Sequence, residues 1–452
     1  MPLVSSLSTG GVLPPAEIDA RRAAAEAFVF GFPLLLATRT MRLATDVVAP
    51  TGGQAPINRF AHLDSFPDPS LRVVVAANAN TLYSLAWLNL ATEPIVLSVP
   101  DTEGRSYLVS LMSAWTEVIA CLGPRTVTTA GGFFALVGPS WRGLLPDGLQ
   151  RVDAPTNAVL VTAHIHARDP GDLHPARAIQ QKLRLAPLAA HGDGHAPPDR
   201  VIDDWPAFSE SNPFRQLQEM RAEEFLTDLA TEMVDNPPAA RDGPTLERLA
   251  ALGVQRGQPF NWALLPGETR DGLEMGLSDG KKAIAHPPRQ EPLGGGWQTL
   301  DAGLGAYGSD YLRRAQVANF ALGIVPPEEA SFPITATDET GRPTSGAHRY
   351  LVRFEPGELP PVGALWSLAV YDMDQLLIPN PIDRYALGDR DELGLGPGGS
   401  LEIVIQHERP DGPDANWLPA PEGDFYLMLH MHWPKQRMLD GHWTPPSVQR
   451  VD

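Results

Sequence analysis

Short runs of β-type residues recur at near-regular spacing along this chain, each cut off by Gly, Pro, Asn or Asp, and they fall in two blocks. The first block holds "LRVVVAANANTLYSLAWLNL", "EPIVLSVPD", "SYLVSLMSAWTEVIACLG", "GGFFALVGP" and "NAVLVTAHIHA". The second holds "HRYLVRFEPG", "GALWSLAVYD", "GSLEIVIQHERP" and "DFYLMLHMHWP". Strands of this length, ended by turn residues, bury one face by closing into sandwiches or barrels. Between the blocks, "FRQLQEMRAEEFLTDLATEMV" and "GPTLERLAALG" have helical texture, and in "SDYLRRAQVANFALG" the residues Tyr311, Ala315, Ala318 and Leu322 follow helical spacing. Near the N-terminus "AEIDARRAAAEAFVFGFPLLLATRTMRLAT" is helical, with a break expected at Gly31 and Pro33. The pattern predicts an α+β fold, mainly β, with two β-sandwich or jelly-roll-like domains joined by a helical middle. The expected boundaries are 1–60 for a tail and helical lead-in, 61–175 for the first β-domain, 176–335 for the helical middle and 336–452 for the second β-domain.

Charge and cysteine usage narrow the chemistry. The 452 residues carry a formal charge of −19, which repels phosphate backbones and anionic membrane surfaces, so neither nucleic acid nor membrane is an expected partner. No secretory signal is readable, and "FVFGFPLLLA" is too short to span a bilayer, so the expected location is cytoplasmic. Cys121 is the single cysteine, which excludes a disulfide framework and a cysteine-rich metal centre. A metal here has to use His, Asp or Glu.

Two His-x-His pairs supply such ligands. Successive strand residues point to opposite faces, so "LHMHWP" puts His430 and His432 on one face and Leu429, Met431 and Trp433 on the other. "AHIHA" does the same for His164 and His166. Two neighbouring imidazoles can converge on one ion when an opposing wall supplies further ligands, and the second pair is a candidate for that wall. Neutral nitrogen donors suit copper, iron, zinc or nickel over magnesium or calcium. The plain alternative is that each histidine is a hydrogen-bonded core or cleft residue.

Other side chains are weaker candidates. Asn78, Asn80, Thr81 and Tyr83 form a polar cluster entering a strand, suited to ligand binding or simply to turn formation. Trp115 and Glu117 read as sharing a strand face, with Glu117 as a general base or further ligand. Arg384 and Tyr385 in "NPIDRY" can anchor a carboxylate, or Arg384 pairs with Asp372 or Asp383 and only holds its loop. His407 lies on a strand that could neighbour the last one. No phosphate-loop spacing and no Gly-x-Ser-x-Gly elbow is present, which removes the common nucleotide-binding and serine-hydrolase signatures.

Several of these segments carry a family likeness. "ANANTLYSLAWLNLATEPIVLSVPD", "SAWTEVIACLGPRT" and "GGFFALVGPSWRG" resemble the bacterial domain of unknown function 1254. "LWSLAVYDMDQLLIPNPIDRYALG", "NWLPAPEGDFYLML" and "DGHWTPPSV" resemble its usual companion, domain of unknown function 1214. The resemblance implies two β-domains joined by helices and a tendency to form homo-oligomers, and it implies no particular activity. The family pattern commonly has Arg-x-Tyr where this chain has His430 and His432, and Arg where it has His164. It tends to have Asp at the positions of Asn80 and Ser113.

The functional expectation is a metal-dependent enzyme. The ion, iron or copper, is held by His164, His166, His430 and His432 between the two β-domains, and a small organic substrate is oxidised there. Tyr83, Asn80 and Glu117 are the expected catalytic groups, with Trp115, Arg384 and Tyr385 contacting substrate. One alternative is zinc-dependent hydrolase or lyase chemistry with Glu117 taking the proton. The other is a metal-free ligand-binding or scaffold protein.

Overall fold

The computed structural model describes residues 15–71, 76–168, 170–192, 212–300, 303–411 and 416–452. A helix, α1 (Pro15–Thr45), precedes a first run of strands: β1 (Ala61–His62), β2 (Thr81–Asn89), β3 (Ile95–Val99), β4 (Tyr107–Ser113), β5 (Val118–Leu122), β6 (Gly132–Val137), β7 (Gln150–Asp153) and β8 (Ala158–His166). After α2 (Leu173–Gln180) and β9 (Arg184–Pro187) come α3 (Pro213–Glu219), α4 (Ala222–Asp235), α5 (Gly243–Ala251) and α6 (Gly267–Ala285). Two short strands, β10 (Glu291–Gly294) and β11 (Trp297–Thr299), lead to α7 (Tyr311–Ala321). The chain closes with β12 (Ala330–Ser331), β13 (Ile334–Thr335), β14 (Tyr350–Phe354), β15 (Val362–Tyr371), β16 (Ala386–Gly388), β17 (Leu401–Gln406), β18 (Trp417–Pro419), β19 (Tyr426–Pro434) and β20 (Val448–Arg450).

These elements fall into two compact units, one built on residues 1–39, 209–287 and 308–320, the other on the remainder. The first unit is helical. On α6, Gly272, Gly276 and Gly280 recur every fourth residue and form one stripe against α1. A Cβ on Gly276 would lie 2.0 Å from the carbonyl oxygen of Arg21, and one on Gly272 would lie 2.5 Å from that of Glu17. The two backbones therefore approach to a distance that any side chain would prevent. Phe28 of α1 packs on Phe225 of α4 with ring centroids 4.7 Å apart.

α1 corrects an expectation, because it runs unbroken through Gly31 and Pro33. Phe28, Phe30, Phe32, Leu34 and Leu35 are all buried, and this packing on both sides of Pro33 outweighs the loss of its one backbone donor. The uninterrupted stretch Glu17–Thr45 is long and apolar enough to cross a membrane, and 72% of its most apolar window is buried inside the protein.

The second unit contains both β-domains. In the first, the sheet β1-β2-β8-β4-β5 faces the sheet β7-β6-β3-β9. Val159, Val161, Ala163 and Ile165 of β8 share one core with Leu97, Phe134 and Leu185 of the opposite sheet. In the second, the sheet β10-β11-β13-β19-β15-β16 faces β18-β17-β14-β20. Leu427, Leu429 and Met431 of β19 share a core with Val352, Ile403 and Val448. The α+β, mainly β architecture of two sandwiches, a helical lead-in and helices between is what the strand spacing predicts.

The boundaries differ from those read off the sequence. Residues 176–335 are not one helical body: β9 pairs with β3 in the first sandwich, and β10 to β13 belong to the sheet of β19. The helix α6 was not among the expected elements. Residues 72–75, which follow Leu71 in the run "LRVVV", and the tail 1–14 lie outside the described residues.

Candidate histidine site

Alternation leaves one face of each central sheet outside its sandwich core, and those are the faces that carry the histidines. On β8 the core takes the odd positions, so His164 and His166 point the other way, opposite Tyr83 and Thr81 of β2. On β19 the core also takes odd positions, and His430 and His432 lie opposite Ser367 and Leu365 of β15. The structure brings the two pairs together. The ring centroids of His166 and His432 are 4.8 Å apart, and those of His164 and His432 are 6.4 Å apart. Phe332 closes one side, its ring 5.5 Å from that of His430.

Trp433 departs from the expected alternation. It has φ of +54°, in the left-handed region, where β19 and β15 slip register between Val362 and Leu365. The ring leaves the core face and lies over Gly363, whose added Cβ would sit 2.6 Å from Trp433 Cδ2. Trp433 is 36% exposed for this reason.

Two of the rings are fixed by hydrogen bonds. The Asn78 amide donates to His432 Nε2 at 3.0 Å. Its orientation follows from the other end of the group, since Asn78 Oδ1 accepts from the backbone N–H of Asn80 at 2.7 Å. His432 Nε2 is therefore the acceptor, and in the neutral ring the proton sits on Nδ1. The Tyr371 hydroxyl donates to the carbonyl of Ala77 at 2.7 Å and lies 2.8 Å from His430 Nε2. With its single proton committed to Ala77, Tyr371 accepts from His430 Nε2–H, which leaves His430 Nδ1 with a free lone pair.

Five further ring nitrogens are unpartnered. Nδ1 of His164, both nitrogens of His166, Nδ1 of His430 and Nδ1 of His432 are buried and have no hydrogen-bond partner among the described residues. An unmet buried donor or acceptor costs about 1–3 kcal/mol. Burial also keeps the rings neutral. It pushes His164 down to about 4, and His166 to about 3 with help from His164, Arg390 and Arg105. It pushes His430 to about 3, with His164 adding, and holds His432 well below the ordinary histidine value, with the other three rings adding.

Other candidates are partly gathered in. The Tyr83 ring lies tilted against that of His164, 4.5 Å between centroids, and its hydroxyl accepts from Asn78 N–H at 2.9 Å. Asn80 holds the Asn78 side chain through its own backbone N–H. Trp115 and Glu117 are corrected: they lie in the turn between β4 and β5, not on a shared strand face, with Thr116 at φ of +60°. From Leu108, opposite His164, to Ser113, opposite Val159, β4 advances roughly 17 Å at 3.4 Å per residue. Glu117 is thus at the far end of the sheet from the histidines.

Arg384 donates from Nη1 to the carbonyl of Trp417 in β18 at 2.8 Å, and Tyr385 donates to Asp383 within the "NPIDRY" loop at 2.9 Å. His407 bonds the carbonyl of Ala420 and is exposed.

Two residues at the site were not anticipated. Arg125 donates from Nε to Glu329 Oε1 at 2.9 Å, and both line a cavity of about 20 Å³ together with His166, His432, Tyr107 and Trp433. Glu329 is buried, while 37% of the Arg125 side chain remains exposed. Among the described residues no three His, Cys, Asp or Glu side chains are arranged to hold one metal ion.

Two fused β-sandwiches whose non-core faces carry a buried, uncharged histidine cluster define the class of protein. Residues 57–187 match the family model "Protein of unknown function (DUF1254)" and residues 329–436 match "Protein of unknown function (DUF1214)". The chain thus carries the first of these domains in its N-terminal part and the second in its C-terminal part. A crystal structure of the VPA0106 protein from Vibrio parahaemolyticus is similar over 96% of this chain and 100% of that one, with a TM-score of 0.71 and 22% identity, which is a likeness of fold. A putative uncharacterised protein from Burkholderia cenocepacia matches over 96% of this chain and 94% of its own, with a TM-score of 0.44 and 11% identity. No curated protein matches the chain.

Proposed function

We propose that the histidine cluster is the working site of a metal-dependent enzyme. One transition metal ion, iron or copper, binds among His164, His166, His430 and His432 and supplies the redox chemistry for oxidising a small organic substrate. The observation that supports this reading is the set of buried, neutral and unpartnered imidazole nitrogens, a donor set that suits late first-row metals. Taking up the ion requires ring movement, because the four rings do not already converge on a point. His430 is the readiest ligand, through Nδ1, because Tyr371 engages its Nε2. His432 has to give up its bond from Asn78 or change tautomer before it can follow.

The zinc hydrolase or lyase alternative needs a carboxylate base close to the rings. Glu117 is too distant, and Glu329, which shares the cavity wall, is engaged by Arg125. That ranks it below the redox reading.

A metal-free reading is favoured by a different observation. The bonds Asn78 to His432 and His430 to Tyr371 already satisfy two Nε2 atoms, and the groups left over suit a small polar molecule. Cobalt(II) titration of chelator-treated protein separates the two. The metal reading predicts visible ligand-field bands that saturate near one equivalent and vanish in the His164→Ala/His430→Ala double variant. Absence of bands in the wild-type protein would sink it.

A further inference from the structure

The cavity beside His166 and His432 has a chemical character of its own. His432 presents Nδ1–H with no acceptor, a consequence of the Asn78 bond at its other nitrogen. His166 is 5% exposed and has no partner for either nitrogen, so its one N–H is also unmet. A further donor, Arg125, lines the cavity with these two residues, and 37% of its side chain is exposed. Arg390 donates to the carbonyl of Ala364, a wall residue, and sits 3.8 Å from Asp389. Arg105 donates through Nη1 and Nη2 to the two carboxylate oxygens of Asp172, and Nη1 also donates to the carbonyl of His166. The one carboxylate on the wall is Glu329, and it occupies Arg125.

We propose that this cavity is a subsite for the carboxylate group of a small organic acid, bound by His432 Nδ1–H, the N–H of His166 and the Arg125 guanidinium. The inference deepens the enzymatic reading by naming the substrate class, and it rests on the histidine cluster being the working site but not on the ion. The volume of about 20 Å³ takes the oxygens of a carboxylate, whose shared charge matches a guanidinium, and leaves the rest of the acid at the Arg125 and Trp433 rim. Glu329 then acts as an internal competitor. It holds Arg125 in place when the subsite is empty and yields it to the ligand.

This competition gives the test opposite signs. Acetate and its neutral isostere acetamide are titrated calorimetrically into the full, chelator-treated chain at low salt. Acetate should saturate one site, with acetamide at least tenfold weaker. Arg125→Gln should weaken acetate at least tenfold, and Glu329→Gln should tighten it by a similar factor. Equal binding of acetate and acetamide to the wild-type protein, or no binding of either, overturns the proposal even if a variant fails to fold. Weakening by Glu329→Gln overturns it as well. Acetate selectivity in a chain that takes up no metal would sink the metal reading alone, while metal uptake without acetate selectivity would sink this one alone.

Discussion

The Asn78 amide, held in orientation by the N–H of Asn80, donates to His432 Nε2 and so decides which nitrogen of His432 carries its proton. Asn78→Asp replaces that donor with an acceptor, and the ring should answer by moving its proton to Nε2. Long-range nitrogen–proton correlations of the imidazole report the tautomer directly. They should show Nδ1–H in the wild-type protein and Nε2–H in the variant, and an unchanged tautomer would mean that Asn78 does not set it.

Acid should unfold the metal-free protein earlier than its carboxylates alone would dictate. His166 and His430 have folded pKa values of about 3, below the unfolded value of about 6.5, so the unfolded chain binds their protons first. Their contribution is complete above pH 6.5 and is lost progressively as the pH falls from 6.5 towards the folded values. Each fully buried histidine then costs about 1 kcal/mol between pH 7 and 5.5. Urea denaturation at the two pH values measures this, and His166→Asn should reduce the difference by about one histidine's share. A flat profile across that window would contradict the neutral, buried cluster.

In the helical unit, Gly276 is the closest approach of α6 to α1. Gly276→Ala puts a methyl against the Arg21 carbonyl and should cost about 1–3 kcal/mol, more than helix propensity returns. Thermal denaturation checks it. A gain in stability would show that the two helices have room to separate.

Glu117→Gln should leave cobalt affinity and acetate affinity within twofold of the wild-type values, because the β4–β5 turn lies at the far end of the sheet from the rings. A larger loss would restore Glu117 to the site.

The histidines were legible because strand periodicity is short and strict. Four residues of known spacing on two strands fix their faces, and the apolar partners Val161, Ile165, Leu429 and Met431 fix which face is core. Glu329 and Arg125 were not legible, since they are separated by 204 positions and meet only through tertiary folding. Trp115 and Glu117 misled because a tight turn at Thr116 interrupts a run of strand-forming residues without a glycine or proline to mark it. In α1 the reverse held, as Gly31 and Pro33 signal a stop that buried neighbours override. The helix α6 is hidden by its own glycines, which weaken the helical pattern where they are needed for contact with α1.

Elemental analysis of the untagged protein, purified without chelators and again after incubation with iron(II), copper(II) and zinc(II), tests the central claim most directly. The account predicts close to one equivalent of iron or copper per chain, lost when His164 and His430 are both replaced by alanine. No transition metal in either preparation would contradict it and leave the four histidines as the lining of a metal-free site.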